Sequence, residues 1–350
     1  MDIIHAESVS VALSEALFKL HVAGELEPSR NGAVLVMPQP VMTTYYQPAK
    51  RVLFSPVRNA NPFFHLMESL WMLKGRNDLK FPMKFNKRFA GYSDDGKTIW
   101  GAYGHRWREF FGYDQLNAIV QELRKNPASR RAVLAMWNAM EVFSSNFGDS
   151  SDSCDPDLHV AMNGGKDVPC NTHAYFDLRG GALNMTVCNR SNDALWGAYG
   201  ANAVHFSILL EYMAARIGVP MGVYRQFSNN LHLYTDVVPR DDIITMAQDV
   251  QGTDLYNQPN CPDTAPLVDC DLELWHNDLH RFMMNDGLPN PYGWTSHFIS
   301  NTAVPMYLAW ENYKKNGAAA ALLTCEEIGA WDWRLACTQW MERRVKGAAK

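Results

Sequence analysis

Cys170 stands in Val168-Pro169-Cys170-Asn171, where a long polar stretch gives way to an apolar one. A thiol at such a junction can meet a substrate, whereas Cys188, inside an apolar run, reads as a small core residue. Nucleophilic use of a cysteine needs a positive neighbour that favours the thiolate. Arg190 can be that neighbour, because a hairpin between the two segments would return it to Cys170. Arg190 and Ser191 also place a forked guanidinium beside a hydroxyl, a pairing suited to phosphate. Residue by residue, other readings stay open: Cys170 as a buried apolar side chain, and Arg190-Ser191 as a polar surface turn.

Other residues carry similar double readings. Arg130-Arg131 is either a solvated strand cap or an anion grip. Glu68 lies in Phe63-Phe-His-Leu-Met-Glu-Ser-Leu-Trp-Met-Leu73. A carboxyl in a helix apolar nearly all round sits at an edge or is buried for proton transfer. Asn202 follows the glycine-punctuated Trp196-Gly197-Ala-Tyr-Gly-Ala201 and is either an N-cap or a ligand contact. His232 and Tyr234 alternate on a strand and so face the same side. Neither a dinucleotide fingerprint nor a P-loop is present.

The elements that must position these residues follow from patterning. Residues 8–23 read as an amphipathic helix and 33–37 as a buried strand. Asn61-Pro62 opens a helix that Gly75 ends. Residues 79–100 read as a surface excursion, 114–125 as an amphipathic helix, and 131–137 as a strand. The Ser-, Asp- and Gly-rich stretch 145–168 reads as loop. Strands at 173–179 and 182–188 flank Gly180-Gly181, a hairpin signal. A long apolar helix is expected at 203–217, with strands at 223–228 and 230–234. Helical segments are expected at 270–284, 302–315 and 323–347.

Composition bounds the classes. The chain has 350 residues, 47% of them apolar and 20% charged, which excludes a disordered chain. A net charge of -5 leaves no basic footprint for nucleic acid. The seven cysteines are odd in number and lack zinc-ligand spacing, so neither a disulfide framework nor a metal site is expected. The N-terminal segment does not read as a signal peptide, and no apolar run is long enough to span a membrane. A cytoplasmic location is expected, in a host cell if the protein is phage-encoded.

In their order along the chain these residues resemble the thymidylate synthase family, including its phage pyrimidine hydroxymethylase branch. The resemblance covers roughly residues 28–238. It rests on Glu68-Ser-Leu-Trp71, Tyr103-Gly104 with Trp107-Arg108, Ser129-Arg130-Arg131 with Trp137-Asn138, and Pro169-Cys170. It continues through Arg190-Ser191-Asn192-Asp193, Gly197, Asn202 and His232-Leu-Tyr234. The twenty-residue interval from Cys170 to Arg190 matches the family.

The resemblance implies an α/β (α+β) fold, a mixed β-sheet packed by helices. It implies a catalytic domain over 1–240, a helical C-terminal extension over 241–350, and a homodimer with sheets stacked face to face. Cys170 would attack C6 of a 2′-deoxypyrimidine monophosphate, and C5 would take a one-carbon unit from 5,10-methylenetetrahydrofolate. Arg190 and Ser191 match phosphate-binding positions. Arg130 and Arg131 match a pair that reaches the phosphate in the other subunit, and Arg30 a further phosphate arginine. Glu68 matches the acid that organises proton transfers, and Tyr103 a tyrosine of the cavity. Asp193 and Gly197 match folate-contacting positions, with Asp193 also near the reacting groups. His232 and Tyr234 match the residues that bond the deoxyribose hydroxyl. Asn202 matches the residue that reads the base, and its amide suits uracil, so dUMP is the expected substrate.

Departures from the family pattern bear on the product. Asn171 follows the cysteine where most members have His. Asp167 stands in place of an apolar residue that helps enclose folate. One additional residue separates Asp193 from Asn202. The chain ends in a basic segment in place of a small apolar tail. A dry site favours hydride delivery and a methyl product, whereas a wetter one favours water. The expected product is therefore 5-hydroxymethyl-dUMP. Three further readings stay open: a synthase making dTMP, a dCMP hydroxymethylase or methylase, and an RNA- or partner-binding module on an inactive core.

Overall fold

A computed structural model describes residues 1–140, 142–143, 153–285 and 293–348. Twelve strands are present among them: β1 (Asp2–Ala6), β2 (Glu25–Ser29), β3 (Gly32–Val36), β4 (Val41–Tyr45), β5 (Val133–Ala135) and β6 (Val142–Phe143). The others are β7 (Ser153–Cys154), β8 (Asn171–Arg179), β9 (Ala182–Asn189), β10 (Asn192–Asp193), β11 (Met221–Ser228) and β12 (Leu231–Tyr234). The first six α-helices are α1 (Val9–Ala23), α2 (Pro62–Leu73), α3 (Lys80–Met83), α4 (Tyr103–Arg108), α5 (Gln115–Lys125) and α6 (Asp157–Met162). The remaining six are α7 (Asn202–Ile217), α8 (Ile243–Gly252), α9 (Leu272–Met284), α10 (Val304–Asn316), α11 (Ala318–Cys325) and α12 (Trp331–Ala348).

The main sheet has six strands in the order β1-β4-β11-β9-β8-β5, with both parallel and antiparallel neighbours. A four-stranded sheet, β10-β12-β3-β2, stands beside it, and β6 pairs with β7. The mixed α/β architecture agrees with the fold expected from the sequence. Period-two alternation sorts the main sheet into two unlike faces. Leu134, Ala174, Val187, Tyr224 and Ile4 point inward and are buried under α1, α5 and α7. Val133, Tyr175 and Ile3 on the opposite face are 43%, 44% and 47% exposed.

Helix α2 begins as its sequence requires. The Asn61 side chain accepts from the Phe64 amide at 3.2 Å, and Pro62 occupies the first turn. Gly75, at φ 82°, turns the chain away after it. The all-round apolar character of α2 is explained by its packing, with α7 on one side and α10 and α12 on the other. Phe63 sits 5.6 Å from Trp310 and 5.7 Å from Trp340, ring centre to ring centre. Residues from both sides of position 240 thus enter one hydrophobic core.

Several elements differ from the sequence reading. The stretch 79–100 is folded onto α2: Phe81, Phe85 and Ile99 are buried, because its polar residues are interleaved with apolar ones. The helix expected at 323–347 is two helices, broken before α12 where Gly329 comes close to the Asn301 backbone. The stretch 145–168 contains α6, tied down by Asp157, which accepts from Arg106 at 2.8 Å. Residues 145–152 of that stretch lie outside the described residues. Strands β1, β2 and β4 and helix α8 had no distinct signal in the sequence.

Candidate active site

The β8–β9 hairpin does the first positioning. Gly180 and Gly181 adopt φ 62° and 79°, which closes the two-residue turn. The strand ends opposite the turn then coincide. The Arg190 amide donates to the Cys170 carbonyl at 2.9 Å. The Arg190 guanidinium folds back over the cysteine, donating to the carbonyls of Pro169 and Val168 at 2.9 Å each. Its Nη2 is 4.0 Å from Cys170 Sγ, and the group lies over the Trp137 ring. Burial raises the Cys170 thiol above the usual range, Arg190 and Arg30 pull it down, and Asp167 pushes it up.

A cavity of about 240 Å³ opens beside these residues. Its walls include Glu68, Tyr92, Tyr103, Asp167, Asn202 and His205. Tyr103 bridges cavity and cysteine: burial first, then the charges of Cys170 and Asp167, holds its phenol well above the ordinary range. Asp167 accepts from the Gly101 amide at 2.8 Å, and a Cβ at position 101 would collide with its carboxylate. Burial pushes the Asp167 carboxyl up to about 6, with Glu68 and Asp94 adding to the rise.

Asn202 is set by a buried chain of amides. Its Nδ2 donates to Asn192 Oδ1 at 3.0 Å, and Asn192 Nδ2 donates to Ser228 Oγ at 2.9 Å. Gly197 leaves room for this chain, since a Cβ there would come within 2.7 Å of Asn192 Oδ1. Asn202 does not cap α7. A helical segment, Ala194–Ala201, precedes α7 and is kinked away from it at Tyr199 and Gly200, and Asp193 caps that segment by accepting from the Trp196 amide at 2.5 Å.

Burial raises the Asp193 carboxyl and lowers the His232 imidazole, the two standing side by side where β10 pairs with β12. His232 and Tyr234 meet edge to face at 5.4 Å, as expected for one strand face. Ser191 follows Arg190 in the link from β9 to β10, and Arg30 lies in the exposed β2–β3 turn. Arg130 and Arg131 are exposed just before β5 and do not figure among the charges that act on Cys170 in this chain.

Three groups near the site escaped the sequence reading. His205 was submerged in an apolar run, although it falls one helical turn after Asn202. His65 stands one turn before Glu68, with its imidazole lowered by burial, Arg58 and His205. Arg58 is half-buried, donates to the Leu195 carbonyl at 2.7 Å, and is lowered to about 10 by desolvation. Among the described residues, no cluster of three or more His, Cys, Asp or Glu is placed to hold a metal.

Comparison with known proteins adds independent findings. Residues 57–249 match the family model described as thymidylate synthase. A deoxyuridylate hydroxymethyltransferase of Pseudomonas phage M6 is 43% identical over 355 aligned residues, covering 98% of this chain and 95% of that protein. A deoxyuridylate hydroxymethyltransferase of Bacillus phage SP01 is 36% identical, covering 71% of this chain and 62% of its own length. A thymidylate synthase of Symbiobacterium thermophilum is 27% identical, with 57% of this chain and 64% of that one covered.

Proposed function

This chain belongs to the thymidylate synthase family, and from that premise we propose how its residues carry the reaction. The protein is a one-carbon transferase that converts dUMP to 5-hydroxymethyl-dUMP. The observation that carries the site assignment is the juxtaposition of Cys170 and Arg190 at the edge of the cavity that Glu68, Asp167 and Asn202 line.

Arg190, Ser191 and Arg30 hold the dianionic phosphate, and fixing it sets the ring over the thiol. His232 and Tyr234 take the deoxyribose hydroxyl. Asn202 presents its carbonyl to N3–H of uracil and its second N–H to O4, the first N–H being committed to Asn192. Cys170 attacks C6, which makes C5 a nucleophilic carbon.

5,10-Methylenetetrahydrofolate supplies the one-carbon unit. The cavity suits a flat heteroaromatic ring, with Trp71, Phe89 and Tyr92 as apolar wall and a carboxyl at its edge. Asp167, Asp193 and Gly197 would hold the pterin, a carboxylate accepting from ring N–H donors. Asp167 also keeps this wall polar, which admits water to the last step in preference to hydride transfer.

Two copies complete the site. The half-open face of the main sheet stacks on its counterpart, and exposed Arg130 and Arg131, beside edge strand β5, reach the partner's nucleotide phosphate. Among the described residues no helix is long and apolar enough to cross a membrane.

The assignment of Cys170 is tested by quenching the reaction and weighing the protein. A dUMP adduct on the Cys170 peptide is expected. Cys170→Ala should form neither adduct nor product while still binding dUMP. Turnover by Cys170→Ala would remove Cys170 from the mechanism.

A further inference from the structure

The cavity wall holds a pair of buried groups that substrate binding leaves unused. His205 is 4% exposed and Glu68 is 9% exposed. His205 Nε2 stands 3.1 Å from Glu68 Oε2. Both atoms are sealed from solvent, and neither has a hydrogen-bond partner in good alignment among the described residues. Buried polar atoms left unsatisfied in this way call for a functional explanation. A purely structural one is weak, because a buried ion pair generally stabilises a fold no better than apolar residues of the same volume. The pair instead lines the same cavity as Asn202, the residue proposed to read the base.

Resting on the dUMP reading above, we propose that His205 is the positioning residue that makes Glu68 the proton acceptor for water capture, and so directs the reaction to a hydroxymethyl product. From its 3.1 Å approach, a turn of the imidazole would aim His205 Nε2–H at one oxygen of the Glu68 carboxylate and leave the other to the cavity. A water molecule held there adds to the exocyclic methylene carbon of the Cys170-bound pyrimidine. The new bond is C–O. The π electrons of the methylene bond move through C5 onto the C4 carbonyl oxygen, and the water proton passes to Glu68. The enolate then collapses, C5=C6 forms, and the C6–S bond breaks to return the Cys170 thiolate. No oxidant or reductant is needed.

The two residues sit on different helices, α2 and α7, whose packing sets their separation. His205 lies on the same face of α7 as Asn202, one turn on. One helix therefore carries both the group that reads the base and the group that directs its final substitution.

The test is a single turnover with enzyme in excess over dUMP tritiated at C5, in H2-18O with methylenetetrahydrofolate. Tritium release reports transfer of the carbon to C5, and 18O in the product reports water capture. For His205→Ala, tritium release should stay within about threefold of the unsubstituted protein. Hydroxymethyl product should form about 100-fold more slowly, the lower range for loss of acid–base assistance. Nucleotide should accumulate on Cys170. His205→Gln, which keeps an N–H donor, should recover about tenfold of that loss. His205→Leu, which refills the apolar space, should behave as His205→Ala and serves if the smaller variant does not fold. Capture retained within threefold in His205→Ala or His205→Leu overturns the assignment. So does a parallel fall of tritium release and capture. Absence of tritium release from the unsubstituted protein would overturn the function itself and this role with it.

Discussion

The Arg190 guanidinium lies 4.0 Å from the Cys170 sulfur, although twenty residues separate the two in the chain. Both are fixed by the backbone bond that closes the open end of the β8–β9 hairpin. Of the two positive groups that oppose the rise that burial imposes on the thiol, Arg190 has the larger effect. Arg190→Ala should therefore move the thiol further up. Alkylation of Cys170 followed against pH should show its midpoint displaced to higher pH and its rate at neutral pH reduced. An unchanged profile would mean that the guanidinium does not act on the sulfur.

Asp167 makes a prediction about stability. Its carboxyl is raised from 3.8 to about 6 by burial, so the folded state holds its proton more tightly than the unfolded state. Below the unfolded value both states are protonated and the residue costs nothing. As pH rises through about 6, ionisation destabilises the fold, by about 1–3 kcal/mol after allowance for partial exposure. Asp167→Asn should raise the melting temperature at pH 8, and the gain should shrink on acidification and vanish near pH 3, below the ordinary carboxylate value. A gain independent of pH would place its cause elsewhere.

The proposed function gives Asn202, whose amide is oriented by Asn192, the choice of base. Asn202→Asp offers two acceptors when ionised, or a donor and an acceptor when protonated, and so suits the cytosine edge. Its kcat/KM for dUMP should fall by about 100-fold or more, with measurable turnover of dCMP appearing. Retention of the uracil preference would move base reading to another residue of the wall.

Arg130 and Arg131 are exposed just before β5. If a partner's pair completes each site, Arg130→Ala with Arg131→Ala in one chain and Cys170→Ala in another should each be inactive. Mixed and reassembled, they should regain about a quarter of the original activity, since half of the dimers then hold one intact site. Failure to complement, with mixed dimers verified by mass, would contradict a shared site.

Much of the candidate site's geometry was legible because residues at turns and strand ends leave local marks. Gly180-Gly181 announces the hairpin that joins Cys170 to Arg190, and alternation places His232 and Tyr234 together. Asn61-Pro62 announces α2, but its all-round burial needed the tertiary contacts of Trp310 and Trp340 to be understood. His205 was invisible for the same reason. Inside an apolar helix a lone imidazole has no local signature, and only the packing of α7 on α2 brings it to Glu68.

The most direct measurement is one incubation of the full chain with methylenetetrahydrofolate and dUMP, product read by mass and dihydrofolate by absorbance. Hydroxymethyl-dUMP without dihydrofolate is the expected result. Methyl product with an equal amount of dihydrofolate would contradict water capture and show that the polar wall of Asp167, Glu68 and His205 does not admit it.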